Sequence, residues 1–493
     1  MAERAPKTRV VICGGGTAGW LAAAALSKQL GPLLEVTLVE SEAIGTVGVG
    51  ESTIPTVRTF HALAGVDERD FLRAARATFK LGISFEDWGA VGERYIHSFG
   101  EIGRSTWMGG FQHMWLQARD DGLQAPLDDY CFELRAAREN RFATGEKARI
   151  NFAYHLDAVA YAAFLRQLSE ARGVVRVEGR IAEVRHAAGL IEAVRLEDGR
   201  ELAGDLFIDC TGFSALLIGK ALGAGYEDWS PWLATDSAVA LQTAATEPAR
   251  PYTRAIAHRA GWRWKIPLQH RVGNGLVYQR AEMSDDEAHA LLLSSVEGER
   301  LSEPRVIRYR AGRREDAWRG NCVALGLSSG FVEPLESTAI HLIMISVTRL
   351  IQLFPFGGST PAVRARYNAL AQQELERIRD FVVLHYHLTR RDDSPFWDRM
   401  RTMDAPETLR ARMELFRETA HAYQGEGDLF RPDSWVQVLL GQGLAPEGRH
   451  RMGALLQPQQ MRQALADLKR NIGEAVARLP QHQAFLDRYL AAA

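Results

Sequence analysis

Cysteine is scarce in this chain: Cys13, Cys131, Cys210 and Cys322 are the only four in 493 residues, and no two form a Cys-x-x-Cys pair. That spacing excludes a disulfide scaffold and the common zinc modules, and it suits a reduced, cytoplasmic interior. Long apolar runs are missing as well. The most apolar stretch, "AIHLIMISVTRLIQLFPF", is crossed by His341 and Arg349, whereas a membrane-spanning helix needs about 18 or more apolar residues in succession. It reads as a buried helix. The N-terminus enters a strand pattern directly, without the apolar core of a signal peptide. Charge of one sign is not in excess either: the formal net charge is −2, which argues against nucleic acid or an acidic membrane surface as partner. The remainder, 46% hydrophobic and 24% charged, is globular material for two or three domain-sized units that bind small molecules. Repeats and low-complexity segments are absent.

The first informative unit is "RVVICGGGTAGWLAAAALSKQLGPLLEVTLVE". A β-branched run ends at Cys13, a glycine turn follows, an alanine-rich helix runs to Leu30, and a second strand ends at Glu40. Gly14, Gly16 and Gly19 have the Gly-x-Gly-x-x-Gly spacing of a dinucleotide site. The first allows the tight turn, the second lets backbone approach a pyrophosphate, and the third lets helix pack on strand. Thr17 opens the helix whose N-terminus faces the phosphates, and Glu40 is placed for an adenosine ribose. The chain returns to this fold in "GDLFIDCTGFSALLIGKALG", a strand ending at Asp209 followed by an apolar helix, and in "RGNCVALGLSSGFVEPLESTAIHLIMIS". Late strand-loop-helix units of this kind suit FAD better than a nicotinamide. The predicted class is α/β, a Rossmann-like FAD-binding domain interleaved with a mainly helical module.

Several separated motifs then converge: "GGGTAGW", "TVGVGESTIP", "ATFKLGISFEDW", "WRWKIP", "GFVEPLESTAI" and "HYHLTRRDDSPFW". With them the chain resembles the flavin-dependent halogenases of the tryptophan halogenase type, Trp-x-Trp-x-Ile-Pro being the diagnostic element. The resemblance implies that FAD, reduced by a separate flavin reductase, reacts with O2 and chloride or bromide to form hypohalous acid. That oxidant is relayed through a tunnel to a lysine and halogenates an electron-rich aromatic such as tryptophan, indole or an indole derivative. It matches the lysine to Lys80 and the carboxylate that removes the ring proton to Glu336. Taken locally, Lys80 reads as a surface lysine closing an amphipathic helix, and Glu333 and Glu336 as ordinary acids at a helix N-terminus.

The resemblance also puts halide at Thr338 and Ala339, where most relatives carry glycine in place of Ala339, and puts flavin contacts at Ala18, Gly48, Val49, Glu51, Val184, Leu327 and Ile340. It assigns substrate contact to His97, Phe99 and Ser337, and bulk beside the tunnel to Trp262 and Trp264, leaving Lys265 at a variable position. Residues that grip the amino and carboxylate groups of free tryptophan have no match in the C-terminal part, so a smaller or neutral indole, another arene or a phenol stays open. His385 and His387 do not have metal spacing, and no metal is expected. His113 and Trp115 read as packing, and "RRDDSPFW" as a charge-paired helix boundary. The FAD domain is expected from residues 1–90, 145–230 and 235–355, and the substrate-covering module from 91–144 and 356–493. Two rival activities share the cofactor: a halide-independent aromatic hydroxylase, and a flavin protein without turnover. The oligomeric state, a homodimer among the options, is not legible.

Overall fold

In the strand Thr8–Cys13, Val10 to Cys13 are buried, and strands pair with it on both edges. It lies parallel to Leu34–Glu40, with Val10 opposite Val36, and parallel to Leu206–Asp209, with Val10 opposite Leu206. Val175–Glu178 and Cys322–Ala324 extend the two sides in parallel, and Trp318–Arg319 closes one edge antiparallel. Parallel neighbours require crossovers, and the first is the helix Thr17–Leu30. Its alanines answer a steric demand: Trp20 to Ser27 are all buried, with the helices Ala158–Glu170 and Ala339–Gln352 packed against it. The sheet belongs to a unit formed by residues 1–77, 156–230 and 308–376, one of two into which the computed structural model divides. Residues 6–44, 50–145 and 150–491 are described.

Asp209 organises the far side of this unit. Fully buried, its carboxylate accepts hydrogen bonds from the backbone N–H groups of Thr211, Leu217 and Ile218 and from the hydroxyls of Thr211 and Ser328, at 2.7–3.1 Å. The apolar helix expected after it is instead a six-residue π-helical turn, Leu216–Ala221, entered through Ala215 at φ 39°. The reason is local: the carboxylate captures the first free N–H groups of the segment, and the chain winds around it.

The second unit comprises residues 78–155, 231–307 and 377–493. Six strands of its seven-stranded sheet run in the order Ser237–Ala244, Arg271–Tyr278, Gly261–Pro267, Thr253–His258, Gly82–Glu86 and Arg94–Ser98. All these pairings are antiparallel except Thr253–His258 with Gly82–Glu86. Beside it, Thr78–Lys80 pairs antiparallel with the strand beginning at Ala153, Lys80 opposite Ala153. Helices make up the C-terminal part, including Pro395–Thr402, Glu407–Thr419, Pro432–Gly441 and Pro458–Ala477. Among the described residues no helix is long and apolar enough to cross a membrane.

Candidate active site

The glycine turn of the first unit shows why each position excludes a side chain. Gly14 has φ +112°, and a Cβ there would lie 2.2 Å from the Cys210 carbonyl oxygen. At Gly19 a Cβ would meet the Gly14 carbonyl oxygen at 1.9 Å, so helix and turn touch through backbone alone. A Cβ on Gly16 would meet no atom within 4 Å. Gly16 also caps the helix Thr17–Leu30 without any side-chain hydrogen bond, so the helix N-terminus is open to an anion. An open backbone cradle at an uncapped helix end fits the pyrophosphate of FAD.

Gly15, to which the spacing gives no role, has one: its Cβ would sit 1.5 Å from Oε2 of Glu40. That carboxylate is held in place by Arg176 Nε at 2.6 Å on Oε1 and by Trp20 Nε1 at 3.3 Å on Oε2. A carboxylate has about four lone-pair sites, so Glu40 keeps acceptor capacity for a ribose beside the turn. Exchanging Gly15 for alanine is expected to displace Glu40 and weaken FAD binding by about tenfold or more, as read by fluorescence titration. Equal affinity would show that Glu40 is indifferent to the nucleotide.

Other described residues matched to flavin contact belong to the same unit. A Cβ on Gly326, which has φ +61°, would approach the Ala18 side chain at 3.1 Å, placing the turn Gly326–Ser328, with Leu327, against the start of the helix. Val184, on Ile181–Ala187, packs on an apolar cluster that includes Val39 and Ile191. Glu51 lies on the short strand Gly50–Ser52, where burial first and Asp157 second push its carboxyl up to about 7. Gly48 and Val49 lie outside the described residues.

The "EPLESTAI" segment follows a defined path. Pro334–Glu336 form a single 3-10 turn, Ser337 takes the left-handed conformation at φ 59°, and Thr338 precedes the helix Ala339–Gln352. Glu336 is 1% exposed and Thr338 fully buried. The Thr338 hydroxyl finds no hydrogen-bond partner among the described residues, and no side chain caps the helix. A buried orphan hydroxyl beside uncapped N–H groups is a fitting place for a halide. Ala339 is the first helical residue, a right-handed position at which alanine does without glycine's freedom.

This segment is tied to the one after Glu51. Ser337 Oγ and Ser52 Oγ are 2.6 Å apart, and Thr56 Oγ1 lies 3.0 Å from His341 Nδ1. His341 Nε2 in turn meets Glu374 Oε1 at 3.0 Å, and Arg349 donates to Glu374 Oε2 at 2.6 Å. Burial raises the Glu374 carboxyl, but His341 and Arg349 outweigh it and hold the group below its ordinary value. Sequence reasoning had read His341 and Arg349 only as interruptions of an apolar run.

In the second unit Lys80 is 0% exposed on a three-residue strand, not at the end of an exposed helix. Its Nζ stands 5.4 Å from the Phe99 ring centroid. Adjacent strand residues face opposite ways, and Phe79 stacks on Phe142 at 4.3 Å and meets Phe485 at 5.7 Å. An aromatic cluster thus anchors the strand that carries the lysine. His97 is buried and lies 5.5 Å from Phe381 and 6.2 Å from Phe430, which stack on each other at 3.7 Å; Trp435 meets Phe381 edge-on at 4.9 Å. Phe381, Phe430 and Trp435 were not anticipated, because they come from separate helices and loops with no shared motif.

Trp262 and Trp264 point to one face of the strand Gly261–Pro267, both buried, their rings 6.0 Å apart. Trp264 lies over Gly275, where a Cβ would come within 2.0 Å of the indole. Lys265 points the other way and pairs with Glu247 and Glu297 at 3.4 Å each. Trp397 Nε1 bonds the His258 carbonyl at 2.7 Å, and the Arg391 guanidinium covers its ring at 4.8 Å, so "RRDDSPFW" packs onto the sheet. His113, held down to about 4 by burial first and His450 second, accepts from His450 N at 3.3 Å, and Trp115 bonds the Ala125 carbonyl.

The tryptophan halogenase family model matches residues 9–458. The chain belongs to the tryptophan halogenase family. Among solved structures, a flavin-dependent halogenase from Xanthomonas campestris superposes with TM-score 0.97 at 51% identity, covering 98% of this chain and 99% of its own. One from Brevundimonas sp. BAL3 does so at 0.93 and 42%, with the same coverage. The tryptophan 6-halogenase of Streptomyces toxytricini is 38% identical, over 88% of this chain and 89% of its own length. This halogenase is therefore an oxidoreductase that uses reduced FAD, O2 and halide, and the hydroxylase alternative is not favoured.

Proposed function

We propose that this halogenase delivers halogen through Lys80 to an electron-rich aromatic ring, an indole, tryptophan or a related derivative, held against His97 and Phe99. Bound reduced FAD, supplied by a separate flavin reductase in the cytoplasm, provides with O2 the two-electron oxidation of halide to hypohalous acid. Gly14, Gly16, Thr17, Ala18, Gly19 and Glu40 hold the dinucleotide, and the segments bearing Gly48, Val49, Glu51, Val184, Leu327 and Ile340 line the flavin. The Thr338 hydroxyl and the Ala339 N–H hold chloride or bromide. Lys80 fixes the hypohalous acid by hydrogen bonding and polarises it toward the ring. Glu336 then takes the ring proton, with Ser337 beside it. Trp262 and Trp264 form the wall that keeps an organic ring from the flavin while a small oxidant passes.

The observation that carries this reading is a lysine wholly buried beside an aromatic ring, a placement lysines rarely take and one at which perturbed, functional amines cluster. The test is incubation with flavin reductase, NADH, O2, chloride or bromide, and a panel of indoles and phenols, with products read by mass spectrometry. Monohalogenated arene is expected. Hydroxylated product formed without halide would overturn the proposal.

Thr338→Val keeps the shape but removes the orphan hydroxyl. A hydrogen bond to a charged partner contributes about 1.5–3 kcal/mol, so the halide KM is expected to rise roughly tenfold or more, while FAD affinity is unchanged. A halide KM equal to that of the parent would remove Thr338 from the site. Replacing both Trp262 and Trp264 with alanine should admit oxygenated by-products; an unchanged product distribution would leave the pair as packing alone.

A further inference from the structure

The strand that carries Lys80 is fastened by a buried polar chain that links two of the motifs through His155 and Thr253, which belong to neither. Thr78, two residues before the lysine, donates its hydroxyl proton to the carbonyl oxygen of Pro267, the last residue of the Trp-x-Trp-x-Ile-Pro strand, at 2.8 Å. The Thr78 hydroxyl oxygen itself lies 3.1 Å from His155 Nδ1, and His155 Nε2 lies 3.0 Å from Thr253 Oγ1. Thr78 sits opposite His155 in the ladder that pairs Lys80 with Ala153. Thr78, His155 and Thr253 are all buried, the first two with no exposed surface.

A hydroxyl has one proton, and that of Thr78 is committed to Pro267, so Thr78 must accept from His155 Nδ1–H. Nε2 is then bare and accepts from the Thr253 hydroxyl. This assigns one tautomer and one ring orientation, both used to the full. Burial first, and the nearby charge of Lys80 second, hold His155 well below its ordinary value, so the imidazole stays neutral beside the ammonium. The chain therefore joins four strands, those of Lys80, of His155, of the two tryptophans and of Thr253, through directional bonds that fix register and leave the cation of Lys80 without a competing charge at His155.

We propose that Thr78 and His155 are positioning residues for Lys80, locking the lysine strand to the Trp-x-Trp-x-Ile-Pro strand so that the ammonium is held at the point where oxidant meets substrate. The inference rests on the role given to Lys80 above. Neither side chain acts on substrate; each acts through the lysine, and small displacements at a reacting centre lower the rate steeply.

The test uses the full-length enzyme with FAD, reductase and a halogenated-product assay. Thr78→Val, which keeps the shape and removes the donor, is expected to lower kcat about tenfold while the KM for the aromatic stays within twofold, with more hypohalous acid escaping to a soluble trap per flavin oxidised. Thr78→Ser, which restores the hydroxyl, is expected to recover most of the parent kcat. Thr253→Val, which removes only the far donor, is expected to lower kcat about threefold. Should Thr78→Val not fold, the Thr253→Val and Thr78→Ser pair decides by the same split. Parent-like kcat in folded Thr78→Val or Thr253→Val, or a loss in Thr78→Val that serine does not rescue, overturns the positioning role. Lys80→Ala, run in parallel, separates the two readings: if it still halogenates, the assignment of Lys80 fails; if it is inactive while Thr78→Val is parent-like, only the positioning role fails.

Discussion

Lys80→Ala is expected to lower formation of halogenated product by a factor of at least about 10³, which corresponds to ~4 kcal/mol of lost transition-state stabilisation, while NADH consumption through the flavin continues. The expectation follows from the surroundings of the side chain. Lys80 is enclosed on a strand whose neighbouring residue, Phe79, is held by stacked aromatics, so truncation removes the ammonium and leaves the strand in place. What disappears is the donor proposed to hold the oxidant beside the ring. Oxidising equivalents should then leave as free hypohalous acid, measurable with a diffusible trap. Lys80→Arg is not a conservative exchange here, because a planar guanidinium needs more room and a different bonding geometry than an ammonium. Halogenation at the parent rate in Lys80→Ala, with no oxidant released, would refute the relay.

Glu336→Gln is expected to lower kcat by about 10²–10⁴-fold, the usual range for loss of a positioned general base, with halide KM and FAD affinity unchanged. The two side chains have nearly the same shape, and the residue is 1% exposed on a one-turn 3-10 helix that leads into the left-handed Ser337, so the path of the backbone should survive. Removal of the ring proton would then limit turnover, and a substrate deuterated at the reacting carbon should show a primary isotope effect that the parent enzyme lacks. Parent-like turnover without an isotope effect would assign Glu336 to packing.

Much of the nucleotide end was legible before any coordinates, because what a glycine permits is decided within a few bonds of it. The spacing of Gly14, Gly16 and Gly19 named a turn, an open approach and a helix contact, and the turn has the φ, the open space and the backbone contact that those three uses require. Gly15 was silent, since its reason is Glu40, a residue that only a parallel β-α-β crossover brings back to it. Asp209 was visible as a strand end but not as the hub that turns the following helix into a π-helical turn, because its bonds reach Ser328, more than a hundred residues away. The aromatic neighbours of His97 are Phe381 and Phe430, with Trp435 edge-on to Phe381, and nothing in the local pattern distinguishes them from ordinary core.

The sequence by itself determined the chemistry available: a dinucleotide turn, a tryptophan pair on one strand face, and acids and hydroxyls ahead of a long helix. These are properties of short segments, set by backbone conformation and by alternation along a strand. Tertiary structure decided which groups are placed to use that chemistry. Of the two lysines that draw attention, Lys265 faces outward to two glutamates while Lys80 is enclosed beside Phe99, a difference made by burial and partners that come from distant parts of the chain. Local sequence cannot assign burial, because desolvation depends on everything that packs around a side chain and not on its neighbours along the backbone.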